Sequence, residues 1–112
     1  MTADMVNVES FNVGERYRWL RSCAVEDVIR DTKDYVHDGK IDGDTVSRYV
    51  SDTVDGWLMW QYEYAMYVVL YFNVYRVLGG CEREDSPETL FEEDVYSYVA
   101  YKLHRNGIEV ID

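Results

Sequence analysis

The stretch Val25-Glu26-Asp27-Val28-Ile29-Arg30-Asp31-Thr32-Lys33-Asp34-Tyr35-Val36 decides the fold class. Val25, Val28, Ile29, Thr32 and Val36 recur three and four positions apart, the rhythm of one face of an α-helix. On the other side Asp27, Asp31, Asp34 and Asp38 recur at four, three and four. At 100° per residue these aspartates fall within about 60° of arc, opposite the apolar stripe. The pattern predicts a helix over residues 22–37, with Ser22 as N-cap and Gly39 as stop.

Working outward, Asp42-Gly43-Asp44 makes a turn that can also cap a second helix over residues 45–55. Its core side is Val46, Tyr49, Val50, Thr53 and Val54, with Trp57 one turn on. Residues 57–78 are apolar nearly all round, which predicts a buried helix. Val68-Val69-Leu70-Tyr71-Phe72 also suits a strand. Gly79-Gly80 is a stop, and the next five residues read as a polar linker. Ser86-Pro87 opens a last helix whose stripe is Phe91, Val95, Tyr98, Val99 and Leu103, ended by Asn106-Gly107. Residues 5–13 partly alternate and suit a strand or an arm, and residues 108–112 form a tail able to pair with it. The expectation is one all-α domain over residues 1–112. It is a compact bundle of about four helices with short irregular or strand-like N- and C-terminal arms.

Charge narrows the function classes. The formal net charge is −11, from 22 acids against 11 bases. A chain this acidic repels nucleic acid and anionic lipid, so direct nucleic-acid binding is not expected and a basic protein partner is. Basic partners in cells are mostly DNA- or RNA-binding proteins. Residues 26–55 carry −5 and residues 82–94 carry −6, while the rest of the chain is balanced. Salt adaptation, suggested by three lysines against eight arginines, tends instead to spread acids everywhere.

The aspartate row works against local stability. Like charges at i, i+4 cost about 0.2–0.5 kcal/mol per pair, and aspartate is a poor helix former. Neighbours in the row lie roughly 4.5–6 Å apart along the axis, the scale of phosphates along a nucleic-acid strand. Other readings are ordinary: a solvated face, carboxylates favoured near a helix start at Glu88, Glu92, Glu93 and Asp94, and Asp38 and Asp42 beside a turn.

Other motifs carry little. A calcium loop begun at Asp38 puts Lys40 and Tyr49 at the third and twelfth positions, where ligands are required. His37 and His104 have no metal-ligand spacing, no phosphate loop is present, and no nucleophile has a base partner. No enzyme activity, metal or cofactor is expected. Cys23 and Cys81 read as reduced thiols. The first residues carry no basic signal region, so the expected location is cytoplasmic. Residues 57–78 are long enough to span a membrane, but their tyrosines are scattered and Glu63 interrupts them, so no membrane span is expected. Eleven tyrosines and three tryptophans suit an aromatic core. Trp57, Trp60, Tyr64, Tyr67 and Tyr71 could also form a homodimer contact or partner patch.

The run Val50-Ser51-Asp52-Thr53-Val54-Asp55, the aromatic stretch 57–67 and the helix 87–101 with acids at its start resemble the small acidic phage DNA-mimic proteins of the overcome-classical-restriction group. The chain is less acidic than those proteins, has a basic patch at Arg16, Arg18 and Arg21, and lacks an acidic C-terminal tail. The resemblance implies a dimeric inhibitor occupying the DNA cleft of a host defence protein, such as a restriction enzyme or CRISPR effector, or of a DNA-binding regulator. It would act in the cytoplasm of an infected bacterium. The phosphate-mimicking residues would be Asp27, Asp31, Asp34, Asp38, Asp44, Asp52 and Asp55 from the first segment. The second segment would supply Glu82, Glu84, Asp85, Glu88, Glu92, Glu93 and Asp94. The alternative is a non-enzymatic interaction module, adaptor- or antitoxin-like, binding through the aromatic patch.

Overall fold

Apolar faces on three long helices meet in one core. The computed structural model describes the backbone of residues 3–60, 66–69, 71–72 and 86–112, and within these the side chains of 14–59, 66–69, 71–72 and 86–112. The architecture is an all-α bundle of four helices with a small two-strand parallel sheet. Helix α1 spans Ala3–Thr32, strand β1 Lys40–Asp42, helix α2 Gly43–Trp60, helix α4 Pro87–Arg105 and strand β2 Glu109–Ile111. Helix α3 is represented by residues 66–69 and 71–72.

The core takes Tyr17, Ala24, Val25 and Val28 from α1, Val46, Val50 and Val54 from α2, and Leu90, Phe91, Val95, Val99 and Leu103 from α4. Val68 and Phe72 add the α3 side. Each fully buried apolar side chain contributes about 1.5–3 kcal/mol, so these faces rather than helix propensity hold the elements together. Ile29, Val36, Tyr49 and Tyr71 are half-buried at its margin. Tyr98, expected in the α4 stripe, instead lies outside the core under the Arg21 guanidinium, 3.9 Å from its ring centre.

Several boundaries differ from the expectation. Helix α1 begins at Ala3, so residues 5–13 are helical and Ser22 lies in mid-helix rather than at an N-cap. The α-helix stops at Thr32, whose buried hydroxyl donates back to the Val28 carbonyl at 2.7 Å. A 3₁₀ turn, Lys33–Tyr35, follows. Asp38 and Gly39 then take φ of 53° and 72° while His37 and Lys40 exchange backbone hydrogen bonds of 2.8 and 2.9 Å. Positive φ at both central residues is the geometry for which Asp-Gly is selected in two-residue turns.

Asp42 accepts the Asp44 backbone N–H at 2.8 Å and caps α2, as expected of that turn. Helix α2 continues through Gly56 to Trp60, five residues beyond the expected end. Apolar residues on both sides of the glycine carry it through: Val54 is buried and Trp57 and Leu58 are half-buried. Residues 68, 69, 71 and 72 are helical, which excludes the strand alternative there.

Ser86 accepts the Thr89 N–H at 3.2 Å with Pro87 in the first turn. At the other end of α4, Gly107 (φ 79°) lets the Ile108 N–H reach the Leu103 carbonyl at 2.8 Å, a Schellman stop. The tail pairs with β1 rather than with the N-terminal segment, in the parallel register Lys40↔Glu109, Ile41↔Val110, Asp42↔Ile111. Gly43 permits this approach: a Cβ there would sit 3.1 Å from the Tyr96 hydroxyl and 3.2 Å from the Ile111 carbonyl. The C-terminal Asp112 is thereby brought beside the start of α2.

Candidate functional site

The two acidic segments meet on the outer side of α2. At 100° per residue Asp44, Asp52 and Asp55 fall within about 80° of arc, opposite the buried Val46, Val50 and Val54. On one flank Asp52 shares a depression of about 340 Å³ with Asp27 and Asp31 of α1. On the other flank Asp55 meets Glu88 and Glu92 of α4, one carboxylate oxygen of each lying within 4.8 Å of the others. A hydrogen bond with Asp55, then burial and the nearby charges of Asp55 and Glu92, push the Glu88 carboxyl above its ordinary range.

Further along α4, Glu92 and Glu93 line a groove of about 670 Å³ with Asp44 and Asp112. Its walls also carry hydroxyls, from Ser47 and Ser51 on α2 and from Thr89, Tyr96 and Ser97 on α4. Burial, then the carboxylates of Asp112, Asp44 and Asp42, raise the Tyr96 hydroxyl above its usual range. The field in the groove is therefore negative, and no lysine or arginine stands among its described lining residues.

Contiguity follows from these neighbours. Asp27, Asp31 and Asp52 share one depression, Asp52 and Asp55 lie one helical turn apart, and Asp55 meets Glu92, which leads into the groove. Among the described residues, two arginines stand within the band. Arg30 pairs with Asp27 at 3.3 Å and Asp31 at 3.4 Å. Arg48, one turn from both Asp44 and Asp52, lies 5.8 Å from the Tyr49 ring centre. Among the described residues, nine carboxylates against two guanidiniums leave the band with an excess of acids.

Other expected site residues lie elsewhere or have other partners. Asp27 is half-buried and also accepts the Trp57 indole N–H at 3.3 Å. The row does not continue as one helical line. A 3₁₀ turn has three residues per turn, so Asp34 no longer follows Asp31 in α-helical register. Asp38 is exposed on the Asp-Gly turn, 3.5 Å from His37. Asp94 accepts hydrogen bonds from the Tyr17 hydroxyl and from Arg21, the latter at 3.1 Å, forming a strut between α4 and α1. Burial, then the hydrogen bond to Asp94, drives the Tyr17 hydroxyl far above its ordinary pKa.

In the aromatic patch, Trp57, Tyr67 and Tyr71 are half-buried, and Tyr71 stacks on Tyr17 with ring centres 3.8 Å apart. Glu82, Glu84, Asp85 and Tyr64, together with the Trp60 side chain, lie outside the described residues.

Sequence reasoning missed Asp112, Tyr96 and the groove hydroxyls. The helical spacing of Asp44, Ser47 and Ser51, and of Thr89, Glu92, Glu93, Tyr96 and Ser97, was the available signal. Chemically, the band offers hydrogen-bond acceptors to cationic groups. Asp55, Glu88 and Glu92 are of the type that can ligate a hard cation, but solvent-facing acids of this kind do not by themselves specify a metal. Among the described residues no helix is long and apolar enough to cross a membrane. No family model, curated protein or solved structure matches the chain.

Proposed function

We propose that the protein is a stoichiometric decoy. It presents carboxylates to the cationic nucleic-acid cleft of a host defence protein, a restriction enzyme or CRISPR effector, or of a DNA-binding regulator. The observation that carries this reading is the meeting of Asp55 with Glu88 and Glu92, which joins the two acidic segments into one surface. With all three ionised, folding alone does not favour such a meeting, because like charges this close repel. Lysines and arginines of the target would exchange phosphates for these carboxylates, forming charge-assisted hydrogen bonds. The proposed contact set is Asp31, Asp44, Asp52, Asp55, Glu88, Glu92 and Glu93, with Asp27 partly held by Trp57 and Arg30. Asp94 is left out because it bridges to α1.

Capture from a bacterial lysate tests the reading. The immobilised protein should retain DNA-binding proteins that elute with salt and are displaced by duplex DNA. The variant combining Asp52→Asn, Asp55→Asn and Glu92→Gln should lose them. Undiminished capture by that variant, shown folded by circular dichroism, would overturn the proposal.

A further inference from the structure

We propose that Tyr35 and Tyr49 form an oxidative modification site, at which a one-electron oxidant joins the two phenol rings into a dityrosine bond. The proposal stands apart from the decoy reading and rests on how the two rings are placed. Tyr35 closes the 3₁₀ turn that follows α1, and Tyr49 lies on α2. The Tyr49 hydroxyl donates to the Tyr35 hydroxyl at 2.9 Å, and the ring centres stand 5.5 Å apart. In a phenoxyl radical the unpaired spin is shared between the oxygen and the ring carbons ortho to it. Hydroxyls in contact therefore bring the coupling carbons of the two rings near each other. The rings are inclined by 49°, compatible with a biphenol, whose ortho groups keep its rings from lying flat. Tyr35 is 49% exposed, so an oxidant can reach it and its ring is free to make the remaining approach. Tyr49 is half-buried against the core, which holds the other ring in place.

Each phenol gives one electron to the oxidant and one proton to water. The two radicals then join through an ortho carbon of each ring, and the hydrogens on those carbons leave as the oxygens regain theirs. The net loss is two electrons and two protons, and two equivalents of the oxidant accept the electrons. Fixed placement makes the coupling intramolecular, which favours it over encounters between separate molecules. Ring proximity alone is not the criterion. Tyr17 and Tyr71 stack with centres 3.8 Å apart, but at an angle of 2° they meet face to face. The Tyr17 ring is also fully buried, with its hydroxyl donated to Asp94.

The test is photo-oxidation of the dilute full chain by a ruthenium polypyridyl complex with persulfate, followed by peptide mapping. The expected product is a monomer lighter by two hydrogen atoms, with dityrosine fluorescence and a bond that maps to Tyr35 and Tyr49. Its yield per molecule should not change with protein concentration. Tyr35→Phe removes only the hydroxyl of an exposed ring and should lower the yield several-fold. Tyr101→Phe, at another exposed ring, should leave it unchanged. No dityrosine, bonds mapped to other tyrosines, coupling only between molecules, or an undiminished yield from Tyr35→Phe would overturn the proposal. Mapping in the unmodified chain decides the site whether or not the variants fold.

Discussion

Replacing Asp55 with asparagine should make the protein more stable. Asp55 faces two carboxylates, Glu88 and Glu92, with oxygens within 4.8 Å. In water two unit charges at that separation repel by about 0.9 kcal/mol, reduced to about 0.5 kcal/mol at physiological salt. With two such neighbours, Asp55→Asn should raise the unfolding free energy by about 1 kcal/mol, or the melting temperature by roughly 4 °C. Asparagine and aspartate have similar helix propensities, so the substitution isolates the charge.

The assay is urea unfolding of both proteins at low and high salt. The gain should shrink in molar salt, where the screening length falls to about 3 Å. It should also depend on pH in a definite direction. The Glu88 carboxyl is raised in the folded state, so the native protein binds that proton more tightly than the unfolded chain. Its destabilising contribution is absent below the unfolded pKa and accrues as pH climbs through the raised value. The advantage of Asp55→Asn should therefore be largest at neutral pH and fade on acidification. A variant less stable than the parent at neutral pH would refute this reasoning, because it would mean that the hydrogen bond between Glu88 and Asp55 outweighs the repulsion.

Asp94→Asn should behave in the opposite way. It removes the charge facing Arg21 and weakens the bond to Tyr17, so stability should fall by about 1–3 kcal/mol in the same unfolding assay. Partner capture should persist once the variant is folded. Asp38→Gly keeps the positive-φ turn, so its stability should stay within about 0.5 kcal/mol of the parent by thermal melting. If Asp38 serves only that turn, binding should be unchanged as well.

Bulk patterning made the helical class readable. Val25, Val28 and Thr32 are all buried, and steps of three and four residues together fit one face of a helix but alternate between the faces of a strand. Ser86-Pro87 and Asn106-Gly107 marked the α4 ends because each has a local mechanism: an N-cap with proline in the first turn, and a left-handed glycine stop. Boundaries set by tertiary contact were not legible. Helix α1 runs through Gly14 and Ser22, both plausible breaks, and the core positions of Tyr17, Leu20 and Ala24 share a face with Val28 across Ser22. Pairing of the C-terminal tail with β1 depended on a parallel contact between segments far apart in sequence, which no local period encodes.

The site divides in a similar way. Acid content was visible, whereas the meeting of Asp55 with Glu88 and Glu92 required the packing of α2 on α4. The regular spacing from Asp27 to Asp38 overstated the row, because the chain leaves the α-helix at Thr32. Asp94 looked like its acidic neighbours, but Tyr17 and Arg21 lie 77 and 73 positions away in sequence.

Mutual exclusion is the most direct measurement of the central claim. A captured partner, labelled duplex DNA and increasing amounts of this protein are mixed, and DNA anisotropy is followed over a range of salt concentrations. The account predicts one-to-one displacement of the DNA, with affinity for the decoy falling steeply as salt rises. A stable ternary complex in which the partner holds the DNA and this protein together would contradict it.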